Sequence, residues 1–97
     1  MITKEFRRWV EDIRDLVEKR LKKIDYIEVW MDTTHPRVIS IFVGFGCVKF
    51  WMSFDQVEYD RNSPKQKRSF VKCRRDKMIR EIESLAKVAT RVARALK

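Results

Sequence analysis

This chain is organised around residues 26–54, which read YIEVWMDTTHPRVISIFVGFGCVKFWMSF. Apolar residues alternate with others at a period of two, which is the pattern of half-buried β-strands. The pattern predicts three successive strands, at 26–32, at 38–43 and from about residue 48 to at least residue 54. Because the connections between them are short, the strands are expected to form an antiparallel meander.

Two turn signals separate these strands. Pro36, in the first connection, has no amide proton to donate to a strand ladder. The second connection, residues 44–47, holds both glycines of the chain, and glycine tolerates the positive φ that tight turns require. A four-residue turn at this position pairs Val43 with Val48, which sets the register of the second hairpin.

The alternation divides the meander into two faces. One face is continuous and apolar and is predicted to lie in a core: Ile27, Val29, Met31, Ile39, Ile41, Val43, Val48, Phe50, Met52 and Phe54. The other face carries polar residues together with Trp30, Phe42 and Trp51. Such aromatic residues are enriched in protein interfaces, and they also stack on unpaired bases. We interpret the three as an interface; the alternatives are base stacking and coverage by residues 54–73.

Helical periodicity flanks the meander on both sides. Thr3 is the predicted N-cap of a first helix, in which apolar residues recur at steps of three and four. A second helix is predicted from about residues 69–74 onward, with basic residues opposite its apolar seam. The fold class is therefore α+β, with one domain over residues 1–97. Its order is α-β-β-β-α, and both helices are expected to pack on one face of a three-stranded antiparallel sheet.

The segment that joins the third strand to the last helix is less regular. Residues 55–60 are polar and prolong the third strand in one interpretation. We expect a loop up to about residue 69, or a short fourth strand near residues 67–73, because no helical apolar rhythm is present there. Ser63 followed by Pro64 is an alternative start for the last helix, since serine caps helices and proline suits their first turn.

Composition is typical of a folded and highly charged domain. The chain has 97 residues, of which 44% are hydrophobic and 38% are charged, enough for one modest core. No apolar run approaches the roughly 18–20 residues of a membrane span, and the N-terminal residues lack the apolar centre of a signal peptide. We expect a cytoplasmic protein without membrane contacts. Its two cysteines, Cys47 and Cys73, are expected to be reduced and buried or half-buried.

The sequence contains no arrangement of residues typical of an enzyme. The single histidine, His35, lies beside a proline in a turn, and no glycine-rich phosphate loop is present. Asp55, Glu58 and Asp60 are candidates to hold a divalent ion, but acidic residues near an edge strand more commonly serve solvation. We therefore expect a non-enzymatic protein without catalytic residues, metal or cofactor.

Positive charge is concentrated in one block. The net charge is +9, and residues 61–80 contain nine basic residues against one acid. Nucleic-acid phosphates bind surfaces that present several Lys and Arg side chains, because bound counterions are released. This predicts an interface for DNA or RNA, within which Phe70 is a candidate to stack on a base. The predicted interface comprises Arg61, Lys65, Lys67, Arg68, Lys72, Arg74, Arg75, Lys77, Arg80, Lys87, Arg91 and Arg94.

Two functions are compatible with these patterns. The first is a small basic nucleic-acid-binding protein with little sequence preference and a strong salt dependence. The second is a protein-interaction module, such as an inhibitor or adaptor of the kind found among phage and viral accessory proteins. That module would dock on an acidic or nucleic-acid-processing partner through the aromatic sheet face. The aromatic face also favours a symmetric homodimer, which would bury it.

Overall fold

The computed structural model describes residues 2–22, 27–45 and 48–95. Within these residues it contains three helices and three strands, in the order α1 (Lys4–Arg20), β1 (Ile27–Asp32), β2 (Val38–Phe45), β3 (Val48–Asp55), α2 (Gln56–Asp60) and α3 (Pro64–Ala95). The strands form one antiparallel sheet in the order β1-β2-β3. The predicted α+β class and its α-β-β-β-α order are confirmed, with the short helix α2 as an addition.

Helix α1 begins at the predicted cap. The hydroxyl of Thr3 accepts a hydrogen bond from the amide of Phe6 at 3.2 Å, which satisfies one of the amides left free in the first turn. Glu5 lies in the first turn and Arg20 in the last, so both charges favour the helix dipole. The buried side chains of this helix are Phe6, Val10, Ile13 and Val17.

The second hairpin is tighter than the predicted one. Strand β2 continues to Phe45, which pairs with Val48, so that only residues 46–47 lie between the two strands. The predicted four-residue turn is therefore wrong, and Val43 pairs with Phe50, two residues from the expected partner. Because side chains alternate between the faces with a period of two, this shift leaves every residue on its predicted face.

Gly44 belongs to strand β2 rather than to a turn, and the predicted positive φ at this glycine is wrong. A Cβ atom at this position would lie 3.7 Å from Cζ3 of Trp30, which is an ordinary van der Waals contact. The indole of Trp30 thus lies over the buried backbone of Gly44. An aromatic ring over a strand glycine replaces part of the packing that the glycine lacks.

One hydrophobic core lies between the sheet and the helices. Both long helices contribute to it, as predicted, and pack on the apolar sheet face. Its buried members are Phe6, Val10, Ile13, Val17, Leu21, Ile39, Ile41, Val43, Phe45, Met52, Phe54, Tyr59, Met78, Ile82 and Ala86. The described residues extend over 50 × 26 × 17 Å, an elongated shape consistent with the 32-residue helix α3.

Helix α2 replaces the predicted extension of the third strand. The carboxylate of Asp55 accepts a hydrogen bond from the amide of Val57 at 2.8 Å, which caps the helix and ends the strand. Gln56 follows and is only 3% exposed. Its backbone amide donates to the carbonyl of Arg37 at 2.8 Å, and its side-chain oxygen accepts from the amide of Thr3 at 2.9 Å. Gln56 therefore joins α2 to the sheet and to the start of α1.

Helix α3 begins at Pro64, and the predicted loop or fourth strand near residues 67–73 is wrong because these residues are helical. The amide of Gln66 donates to the Ser63 hydroxyl at 3.3 Å, and the amide of Ser63 donates to Oε1 of Gln66 at 3.0 Å. This reciprocal pair is a capping box. The first turns contain mostly long charged residues, which form helices readily without an apolar rhythm.

Cys73 differs from its prediction, since it lies exposed on α3. Cys47 and Tyr26 are outside the described residues. Across the described ranges, no helix combines the length and the apolar composition needed to cross a membrane.

Candidate nucleic-acid interface

Many of the predicted basic residues lie along one side of α3. Met78, Ile82 and Ala86 define the side that faces the core. At 3.6 residues per turn the opposite side carries five exposed basic residues, here named the outer stripe. They are Lys77, Arg80, Lys87, Arg91 and Arg94. From its first to its last residue the outer stripe is roughly 26 Å long, at 1.5 Å per helical residue.

The charge of the outer stripe is not cancelled by direct ion pairs. Within the part of the chain that the structure describes, none of its five side chains lies within 4.0 Å of a carboxylate oxygen. Two acids on the same side of α3 contact other bases. Asp76 contacts Arg75 at 3.3 Å, and Glu83 contacts Arg20 of α1 at 3.8 Å. Among the described residues, the outer stripe therefore presents positive charge to solvent without direct ion pairs.

A second group of basic residues lines a groove between α1 and the start of α3, here named the aromatic groove. Its volume is about 440 Å³. Four of its lining side chains are basic and one is acidic. The lining consists of Glu5, Trp9, Tyr59, Pro64, Lys67, Arg68, Val71, Lys72 and Arg75. The predicted basic block thus continues from a convex helix surface into a concave one.

Tyr59 joins the walls of the aromatic groove. Its ring centroid is 5.3 Å from that of Phe6, and it is 5.5 Å from that of Trp9 in an edge arrangement. Its hydroxyl donates to Oε1 of Glu5 at 3.0 Å. Nζ of Lys67 lies 4.7 Å from its ring centroid, within cation–π range. These contacts fix Trp9 and Lys67 relative to each other, although α1 and α3 hold them separately.

Burial raises the pKa of Tyr59 to about 12, and the hydrogen bond to Glu5 and the charges of Glu5 and Asp60 act in the same direction. The folded protein therefore keeps the phenol proton more tightly than the unfolded chain, whose pKa is about 10. The resulting stabilisation is fully present below about pH 10 and is lost as the pH rises toward 12. Relative to Tyr59→Phe, the wild-type protein should lose about 2 kcal/mol of unfolding free energy by pH 12. Urea unfolding from pH 8 to 12 measures this, and parallel profiles for the two proteins would contradict it.

Arg74 and Phe70, both assigned to nucleic acid from the sequence, support the fold. Nη2 of Arg74 donates to both carboxylate oxygens of Glu58, at 3.2 and 3.1 Å, which ties α2 to α3. The guanidinium of Arg74 also lies 5.4 Å from the ring centroid of Phe70. Phe70 itself is partly buried against the core, so its proposed stacking on a base is not supported. Arg61 and Lys65 are exposed but belong to neither the outer stripe nor the aromatic groove.

The acidic residues at the end of β3 and in α2 serve local structure. Their carboxylates have separate partners: Asp55 contacts Arg37, Glu58 contacts Arg74, and Asp60 contacts Gln56. Among the residues at described positions, no group of three or more His, Cys, Asp or Glu side chains is placed to hold a metal ion. The arrangement accounts for these acids without a ligand.

The aromatic residues on the open sheet face form a row across the three strands. Trp30 pairs with Phe42, and Phe42 pairs with Trp51. The rings of Trp30 and Phe42 stack with centroids 5.5 Å apart and planes 6° from parallel. Trp30 is 41% exposed and Trp51 is 62% exposed. Residues 54–73 pack against the opposite face, so the alternative in which they cover this row is wrong.

Trp9 and Tyr59 are not among the residues that the sequence patterns assign to a functional surface. Trp9 belonged to the apolar stripe of α1, and Tyr59 lay in a segment without clear periodicity. Residue 9 and residue 59 come together only when α1, α2 and α3 pack on the same sheet face. A local sequence pattern carries no signal for such a contact.

Comparison of the chain with protein-family models, with curated proteins and with solved structures found no match.

Proposed function

We propose that this protein is a small, non-enzymatic nucleic-acid-binding protein that contacts the phosphate backbone of DNA or RNA through α3. The outer stripe is the observation that supports the proposal most directly. Its roughly 26 Å of helix surface spans about three quarters of one turn of duplex, which is about 34–36 Å. Five exposed cations over this length can each displace counterions from phosphates. The proposal places the protein in the cytoplasm, where nucleic acid is accessible to it.

The chemistry of the outer stripe favours backbone contacts over base reading. All five side chains are Lys or Arg, and residues 77–94 of α3 contain neither Asn nor Gln. Reading a sequence in a groove requires several side chains matched to the donors and acceptors of particular bases. Contacts to phosphate fix position and supply affinity without carrying sequence information. We therefore expect little sequence preference.

Titration of a labelled duplex and a labelled single strand at low and moderate salt tests this function. If all five side chains contact phosphates, the duplex Kd should rise about 500-fold between roughly 50 and 200 mM salt. The single-strand Kd should rise about 100-fold over the same interval, since single strands carry a lower condensed charge. Failure to bind either ligand at low salt, or a Kd that does not change with salt, would overturn the proposal.

The exposed aromatic row supports a second candidate function, that of a protein-interaction module. Trp51 is the most exposed of the row at 62%, and exposed aromatic patches with polar surroundings are typical of binding surfaces. In this proposal the chain acts as an inhibitor or adaptor on an acidic or nucleic-acid-processing partner. Pairing of two rows in a symmetric homodimer is a further use of the same surface.

Charge reversal at Lys87 and Arg91 of the outer stripe, compared with Trp30→Ala, separates the two functions. If the biological function of the protein is lost with the charge reversal alone, nucleic-acid binding is supported. If it is lost with Trp30→Ala alone, the interaction module is supported. For the homodimer, light scattering should give twice the chain mass for the wild-type protein and the monomer mass for Trp51→Ser. Trp51 is suited to this test because its exposure makes the substitution nearly neutral for stability. A monomer mass for the wild-type protein at tens of micromolar would contradict the homodimer.

A further inference from the structure

We propose that the aromatic groove binds a single unpaired nucleotide, with the base against Trp9 and the phosphate against Arg68, Lys72 and Arg75. The inference assigns a ligand to one part of the proposed nucleic-acid interface and rests on that function. In this proposal, α3 contacts nucleic acid in two different ways. The outer stripe follows a backbone, and the aromatic groove holds a nucleotide at a strand end, a loop or a bulge.

The size of the groove selects the ligand. Its volume of about 440 Å³ lies within the roughly 300–1,000 Å³ common for small-molecule sites. One nucleotide fits such a volume, whereas a base-paired duplex does not enter it. A nucleotide that is already unpaired reaches the groove without the cost of opening a base pair.

The two walls of the groove differ in chemistry. The α3 wall is cationic: Arg68 and Lys72 are exposed and have no ion pair among the described residues, and Arg75 contacts only the neighbouring Asp76. The positive end of the α3 dipole, at Pro64, lines the same wall and adds to its attraction for an anion. A phosphate is the matching ligand for this wall.

The α1 wall is aromatic. Trp9 is half-buried, and its ring packs beside the rings of Tyr59 at 5.5 Å and Phe6 at 6.4 Å. Tyr59 is only 3% exposed, so Trp9 supplies the aromatic surface that a ligand can reach. Stacking of bases on such side chains is a general means of binding single-stranded nucleic acid. Glu5, the one acid of the lining, suits a base amino group, because a carboxylate can only accept hydrogen bonds.

A ligand that satisfies both walls must combine a flat aromatic ring with a phosphate a short distance away. A nucleotide has this composition, whereas inorganic phosphate lacks the ring and a nucleoside lacks the charge. The polarity of the groove therefore points to a nucleotide rather than to either component alone.

Fluorescence of Trp9 provides a direct test. The chain has three tryptophans, and Trp30→Phe with Trp51→Phe leaves Trp9 as the single emitter. Both substitutions lie on the far sheet face, so the groove is unaltered. Adenosine 5′-monophosphate should quench Trp9 saturably, and adenosine or ribose 5-phosphate should bind about tenfold more weakly, since each lacks one half of the contacts. Absence of saturable quenching by the nucleotide, or equal binding of the three compounds, would overturn the inference.

Two variants of equal charge change locate the effect. Arg68→Gln with Lys72→Gln alters the aromatic groove, and Lys87→Gln with Arg91→Gln alters the outer stripe. The first pair should raise the nucleotide Kd about tenfold, and the second should leave it unchanged, because charge–phosphate contacts are local. Equal weakening by both pairs would show a response to net charge and would overturn the site.

The duplex titration is read separately from the nucleotide titration. Duplex binding without quenching of Trp9 overturns the groove assignment and leaves the proposed function standing. Quenching of Trp9 without binding of either the duplex or the single strand supports the groove and overturns the backbone-binding function.

Discussion

Replacement of Arg80, Lys87, Arg91 and Arg94 by glutamine should weaken duplex binding by about 10³-fold at roughly 0.1 M salt. Each of these side chains is exposed on the outer stripe, and each phosphate contact contributes nearly one unit to the slope of log K against log salt. The slope should therefore fall by about 3 to 4 units. Glutamine keeps a helix propensity close to that of Lys and Arg, so α3 should persist. Fluorescence anisotropy at several salt concentrations measures both quantities.

The matched control has the same change in net charge on a different surface. Arg7, Arg14, Lys19 and Lys22 lie in or directly after α1, and none of them lines the aromatic groove. Their replacement by glutamine should change the duplex Kd far less than the outer-stripe variant does, because screening confines exposed charges to within about 8–10 Å. If both variants lose the same affinity, binding depends on net charge alone and the outer stripe has no special role.

Phe6→Ala should lower the unfolding free energy by about 3–5 kcal/mol. Phe6 is fully buried, at 0% exposure, and removal of its ring leaves a cavity between α1 and the sheet. A loss of this size is a large share of the roughly 5–15 kcal/mol that stabilises a domain. It should lower the Tm by roughly 20 °C, since about 1 kcal/mol corresponds to 4–8 °C in a chain of this length. Thermal unfolding followed by circular dichroism measures the change.

The same substitution tests how the aromatic groove is built. Phe6 contacts Tyr59 at 5.3 Å and Trp9 at 6.4 Å between ring centroids, so its loss should release both rings. Phe6→Leu, which keeps most of the apolar volume, should cost about 1.5 kcal/mol or less. Trp51→Ala, on the exposed face, should stay within about 0.5 kcal/mol of wild type. Equal stability of Phe6→Ala and Trp51→Ala would contradict the placement of Phe6 in the core.

Local sequence patterns were sufficient to predict which residues lie on each face of the sheet and where the first helix begins. The period of two placed Ile39 and Ile41 in the core and Trp51 on the open face, because neighbouring strand residues point in opposite directions whatever they pair with. Thr3 was identifiable as a cap because its hydrogen bond joins residues three apart in the chain. The basic block of residues 61–80 is a property of composition, and it too was visible directly.

The start of α3 was also encoded locally, and of the two predicted starts the alternative at Ser63–Pro64 is confirmed. Ser63 and Gln66 have the spacing of a capping box, yet the absence of an apolar rhythm in the next residues favoured a loop. Tertiary contacts stabilise the helix over these residues. Phe70 packs toward Tyr59 at 6.3 Å, and Arg74 reaches Glu58 of α2 at 3.1 Å.

The register of the second hairpin and the aromatic groove were decided only by the packed structure. A shift of two residues preserves both faces, so alternation cannot distinguish pairing of Val43 with Val48 from its observed pairing with Phe50. Cross-strand packing favours the observed register, because it sets Trp51 opposite Phe42 and completes the aromatic row. The groove brings together side chains from three helices. Its α1 residues are about fifty or more positions away in the chain from those of α2 and α3. Contacts over that separation depend on how the helices share one sheet face, which no periodicity within a single helix specifies.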